Sequence, residues 1–139
     1  MFLVDTDVIS ELRKKDKANR NVAAFVKDAT ARDLPIYLSA VTIGELRRGV
    51  ELIRHRGDTA HANALERWLR GLLAEYAEAI LPFDHDTAQI WGRLRVPHAE
   101  NPLDKQIAAT ALLYGLVLVT RNVRHFAATG VELLDPFAA

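Results

Sequence analysis

The chain has 139 residues, half of them hydrophobic and 26% charged, a balance that suits one globular core and excludes a disordered or collagen-like chain. Its 18 Lys and Arg offset 18 Asp and Glu to a formal net charge of zero, which argues against binding nucleic acid by bulk electrostatics and requires a local site for any such role. The absence of cysteine excludes a disulfide framework, a thiolate zinc site and a cysteine nucleophile.

An acid, Asp5, follows Phe2-Leu3-Val4 too soon for a signal peptide, and no apolar run approaches the length of a bilayer span. The expectation is a soluble cytoplasmic protein with a single domain over residues 1–139. Short apolar runs at 2–4, 36–38, 79–81 and 116–119, with a weaker one at 132–134, alternate with stretches of helical period. That alternation predicts βαβ units around a mostly parallel sheet of four or five strands flanked by helices.

In chain order, a first helix is expected after Asp7 as N-cap, running through Val8, Ile9 and Leu12. A short second helix carries Val22, Phe25 and Val26. From Thr42, Ile43, Leu46, Val50 and Ile53 keep helical spacing; after a break at Gly57-Asp58, Leu65, Trp68, Leu69, Leu72, Leu73 and Tyr76 do the same, so the two segments predict a helical hairpin. A domain this small does not cover all the apolar residues of that hairpin, which predicts a homodimer. A helix with Ile90, Trp91 and Leu94 ends at Pro97, and Asn101-Pro102 opens one bearing Ile107, Ala108, Ala111 and Leu112 that closes at Gly115.

The acids fall at the ends of the strands. Asp5 follows the first, Thr42 to Glu45 follow Ser39-Ala40-Val41 after the second, Asp104 begins the helix leading into the fourth, and Thr120-Arg121-Asn122 follow the fourth. In an open parallel sheet these carboxyl ends share the edge where ligands bind. Each acid also has a structural explanation. Glu45 completes a capping box with Thr42, and for that residue alone the cap is the stronger account. Asp104 lies in a first helical turn, where the dipole favours an acid, yet it shares the face of Ile107 and Ala108, where a carboxylate needs a positive partner. Asp5 ends a strand covered on both faces and needs one for the same reason.

Carboxylates brought close together repel unless a cation lies between them, and Mg²⁺ or Mn²⁺ fits an all-oxygen set while activating water for phosphodiester hydrolysis. Zinc is disfavoured, because no two His have a ligand spacing beside an acid. His55, His61 and His98 are expected on the surface. Asp84-His85-Asp86 is assigned to a helix start. The run from Arg13 to Arg20 is expected to be solvated, whereas Arg47, Arg48, Arg121 and Arg124 lie nearer the edge and are candidates for phosphate contact.

Four segments, 2–8, 38–46, Asp104 ahead of Ile107-Ala108-Ala109-Thr110-Ala111, and Thr120-Arg121-Asn122, together resemble the successive motifs of PIN-domain ribonucleases of the VapC toxin type. The resemblance runs nearly end to end. It implies a PIN-like three-layer fold, Mg²⁺- or Mn²⁺-dependent endonucleolytic RNA cleavage, homodimerisation through the hairpin region and inhibition by a cognate antitoxin that also binds DNA. Residue by residue, Asp5, Glu45 and Asp104 match the three core acids. The fourth acidic position falls on Asn122, a neutral amide, which bears against a second tightly held metal. Thr6, Ser39 and Thr120 match positions near the site where hydroxyls orient ligands or waters. Two alternatives remain. One is a phosphatase of the haloacid dehalogenase type, suggested by Asp5-Thr6-Asp7 after an apolar strand but lacking the later lysine and acidic pair. The other is a PIN-like binding module without catalysis.

Overall fold

The computed structural model describes residues 1–138. Five short strands, β1 (Phe2–Val4), β2 (Ile36–Ser39), β3 (Ile80–Leu81), β4 (Val117–Val119) and β5 (Leu133–Leu134), form one sheet in the order β3-β2-β1-β4-β5, with every neighbouring pair parallel. The chain builds outward from β1 to β2 and β3, then crosses to β4 and β5 on the other side. Strand order therefore reverses between β1 and β4, which is where such sheets open a crevice. Leu3 pairs in register with Leu118, and Val4 with Val119.

Alternation along these strands divides the core. Val4, Leu38 and Val119 face helices α1 (Thr6–Leu12), α2 (Arg20–Ala31), α3 (Ala40–His55) and α4 (Thr59–Glu75), meeting Val8, Ile9, Val22, Leu46, Val50, Leu69 and Leu72. Leu3 and Leu118 face the opposite layer, where α6 (Pro102–Tyr114) supplies Ile107, Ala108 and Ala111 and α7 (Val123–Phe126) supplies the fully buried Phe126. The remaining helix, α5 (His85–Leu94), packs on α6 and brings Leu94 to that cluster. The result is the expected three-layer arrangement. Among the described residues, no helix is long and apolar enough to cross a membrane.

Several boundaries differ from expectation. Asp5, not Asp7, caps α1: its Oδ1 accepts the Thr6 N–H at 2.8 Å, which leaves Asp7 inside the first turn. Ser39, not Thr42, caps α3 by accepting the Val41 N–H at 3.0 Å, so Thr42 and Glu45 form no capping box. Strand runs into helix at both junctions without a loop. The second helix has 12 residues rather than being short, with Asn19 bonding the N–H groups of Asn21 and Val22. Asp84 caps α5 as expected, and Gly115 closes α6 at φ +65°, a left-handed value that glycine adopts without strain.

The hairpin of α3 and α4 forms, but its apolar residues are used internally. Leu69 and Leu72 are buried, and Trp68, Leu73 and Tyr76 pack half-buried against the same core. The surplus of exposed apolar surface that argued for a second copy is therefore not on the hairpin. Apart from Met1, the large hydrophobic side chains left exposed among the described residues are Val96 and, on α6, Leu103, Leu113 and Tyr114.

Candidate active site

Asp5 lies at the switch point, 4% exposed. Its backbone N–H still pairs with Val119 O at 2.9 Å, so β1 delivers the carboxylate directly beside the end of β4. There Thr120, fully buried, donates its hydroxyl to Asp5 Oδ2 at 2.8 Å and accepts the Asn122 N–H at 3.0 Å. Burial is the main reason that the Asp5 pKa rises from the usual 3.8 to about 7, followed by the negative charge of Asp7; the Thr120 and Thr6 bonds oppose the rise, and Asp104 adds to it. No lysine, arginine or histidine forms a salt bridge with Asp5 among the described residues.

Asp7, in the first turn of α1, belongs to the same group. Its Oδ2 accepts the Arg121 N–H at 3.1 Å, and its Oδ1 is buried with no hydrogen-bond partner. Burial raises its pKa; the Arg121 and Val8 amides hold it down, while Asp104 and Asp135 push it further up. Sequence reasoning placed Asp7 as a cap and so removed it from the site.

Glu45 sits in the second turn of α3, because that helix starts at Ala40. The side chain reaches across to α1, where the Thr6 hydroxyl donates to Glu45 Oε1 at 2.8 Å and lies 3.2 Å from the buried Thr42 hydroxyl. Asp104, in the first turn of α6, is not wholly buried as its face suggested; its side chain keeps 23% exposure and meets His125 Nδ1 at 2.9 Å. The buried neighbour is instead Lys105, whose ammonium donates to the carbonyl of His98. His125 was missed because nothing in the spacing links it to a residue 21 positions earlier. Only the docking of α7 on α6 does so.

Asn122 precedes α7 but makes no capping bond with its side chain, which is exposed. The cap explanation for that residue is thus absent. Ser39 is fully buried in its capping role. Carboxylates that repel one another have here taken separate partners: Asp5 with Thr120, Glu45 with Thr6, Asp104 with His125. Among the described residues, no three His, Cys, Asp or Glu side chains stand close enough as placed to ligate one ion.

Beside Glu45 opens a groove of about 290 Å³ between α1 and the hairpin, lined by Thr6, Ser10, Arg13, Glu45, His61 and Trp68. Of the candidate phosphate contacts, Arg47 is occupied by Glu51 and Glu66, and Arg121 lays its guanidinium 4.6 Å from the centre of the Phe137 ring. Arg48 and Arg124 are exposed.

Acids gathered at the switch point of a parallel sheet mark an α/β protein that works at the carboxyl edge of its strands. Within that class, the chain belongs to the PIN-domain family, whose model matches residues 2–132. It is 35% identical over 144 residues to the toxin FitB of Neisseria gonorrhoeae, with 99% of each chain covered. To the VapC ribonuclease Y4jK of Sinorhizobium fredii it is 33% identical over 143 residues, covering 99% of this chain and 98% of that one. Among solved structures, FitAB bound to an IR36 DNA fragment superposes with a TM-score of 0.85 at 32% identity, covering 100% of this chain and 97% of the other. The phosphatase alternative is set aside by this match along the chain.

Proposed function

We propose that the chain is a metal-dependent endoribonuclease that acts as the toxin of a toxin–antitoxin pair. The observation that carries this is the buried Asp5 at the switch point, flanked by Asp7 and Asp104, with no salt bridge to Asp5 or Asp7 among the described residues, in a chain 33% identical to a VapC ribonuclease. The carboxylates at this edge offer hard oxygens, and the unpartnered Oδ1 of Asp7 is the atom that a divalent cation or its water would satisfy. The residues therefore fit Mg²⁺ or Mn²⁺, held by Asp5, Glu45 and Asp104 with Asn122 as a neutral neighbour. When bound, such an ion lowers the pKa of water toward neutrality and offsets the charge of the scissile phosphate.

The protein's part is arrangement. Thr120 and the Thr6 amide hold both oxygens of Asp5, so this carboxylate has one orientation at the end of β1. Thr6 ties Glu45 to the same junction, and Ser39 holds the start of α3 from which Glu45 projects. His125 orients Asp104 through Oδ2. Arg48 and Arg124, exposed and unpaired by any acid among the described residues, are the side chains available to RNA phosphates. On this reading the partners are RNA, a cognate antitoxin and a second copy of this chain; the toxin name of one relative and the DNA-bound FitAB assembly support the pairing with an antitoxin.

The test is cleavage of a structured RNA by purified protein with Mn²⁺ or Mg²⁺ against the same reaction in EDTA, repeated with Asp104→Asn. Cleavage that needs metal and is lost in the variant supports the reading. A wild-type protein that binds RNA but never cuts it, with either ion present, would establish the binding-module alternative instead.

A further inference from the structure

The orphaned oxygen of Asp7 has no account in the fold. A buried carboxylate oxygen without a donor costs free energy that a folded chain ordinarily avoids, and persistent exceptions occur where a ligand completes the set. The neighbouring Asp5 shows the contrast, since both of its oxygens are bonded. Asp7 does not need its Oδ1 to cap α1, because Asp5 does that. Nor does Arg121 balance it: that residue offers Asp7 its backbone amide, while its guanidinium rests on Phe137.

Position matters as much as charge. Consecutive residues at the end of β4 hold two carboxylates, Thr120 taking Asp5 and Arg121 taking Asp7. The next residue, Asn122, is the neutral one, with its side chain exposed. The carboxylate of Asp7 is therefore anchored one peptide away from the residue that brings no charge to the edge.

We propose that Asp7 is a further member of the metal-binding edge and supplies, from α1, the carboxylate that Asn122 does not supply from the end of β4. This rests on the divalent-ion reading above. It makes the acidic set Asp5, Asp7, Glu45 and Asp104. Asp7→Asn is close to isosteric and keeps an oxygen for the Arg121 amide, so the fold is expected to persist; Asp7→Ser serves as a second variant should the first fail to fold.

The experiment titrates Mn²⁺ alone into the full chain by calorimetry, comparing wild type, Asp7→Asn, Asp104→Asn and the double variant Asp7→Asn/Asn122→Asp. Removal of Asp7 is expected to weaken Mn²⁺ binding roughly 10–100-fold, the range seen when a residue supporting a metal site is lost. Restoring an acid at 122 is expected to recover most of that loss. Wild-type affinity in both Asp7 variants, with Asp104→Asn weakened, overturns the role of Asp7 alone. Wild-type affinity in Asp104→Asn as well overturns the divalent-ion reading beneath it. Weakened binding in Asp7→Asn that Asn122→Asp fails to rescue overturns the exchange of charge between positions 7 and 122.

Discussion

Replacing Asp5 by asparagine is expected to abolish cleavage and yet stabilise the metal-free protein, by an amount that depends on pH. The folded-state pKa of Asp5 is raised from 3.8 to about 7, so between those values the native protein binds a proton that the unfolded chain releases. Stability then falls as pH rises across that window, and the contribution is lost completely above it. At 1.36 kcal/mol per unit the Asp5 carboxylate costs about 4 kcal/mol at pH 8. Asparagine carries no such cost. It still caps α1 through its oxygen, but it turns an N–H toward Thr120, whose hydroxyl then loses an acceptor, a penalty of about 1 kcal/mol. The net expectation is a variant equal to the parent near about pH 4.5 and more stable by about 3 kcal/mol at about pH 8. Urea denaturation in EDTA, followed by tryptophan fluorescence at intervals across this range, measures the gap. Parallel stability curves for the two proteins from pH 4.5 to 8 would refute the reasoning, because they would mean that Asp5 titrates alike in the folded and unfolded chain.

Asp104→Asn and Glu45→Gln are each expected to remove metal-dependent RNA cleavage while leaving circular dichroism unchanged, since Gln still accepts from Thr6; full activity on a gel assay in either would remove that residue from the site. Ser39→Ala deletes the cap of α3 at a fully buried position and is expected to lower stability by about 1–2 kcal/mol in thermal unfolding. Leu69→Ala opens a cavity beneath the hairpin, with an expected loss of about 2–5 kcal/mol. Light scattering of the same variant at micromolar concentration is expected to show the oligomeric state of the parent, because Leu69 faces inward; a strictly monomeric parent would count against the homodimer.

Much of the fold was legible because its signals are local. Four apolar runs and a weaker fifth correspond to the five strands, and the order of elements follows from their alternation with helical periods. The small boundary errors have causes. The apolar run predicts Leu116 in β4, but its N–H bonds Ala111 O at 2.9 Å and belongs to the end of α6. The hairpin residues were recognised as one apolar stripe, and what periodicity did not show is that β1, α1 and α2 supply enough partners to bury it. The pairing of Asp104 with His125 depends on how α7 docks and has no local trace at all.

The two misplaced helix starts share one cause, and it is what obscured the site. Aspartate, serine and threonine all cap helices, so propensity alone does not choose between Asp5 and Asp7, or between Ser39 and Thr42. Sheet pairing makes the choice. The Asp5 amide is still bonded to β4, and Ser39 is still paired in β2, so β1 hands over to α1 with only Asp5 between and β2 runs directly into α3. Advancing α1 by two residues makes Asp5 both cap and edge carboxylate, and it releases Asp7 from capping. Advancing α3 by three moves Glu45 out of the first turn, where a glutamate has a structural task, into the second, where its only side-chain bond is to Thr6 across the junction. Structural and functional explanations therefore compete at Glu45 and Asp7 only while helix starts are read from propensity. Once the parallel pairing of β1 with its neighbours sets those starts, both acids lose their local tasks, and they are left facing the edge where Asp5 already stands.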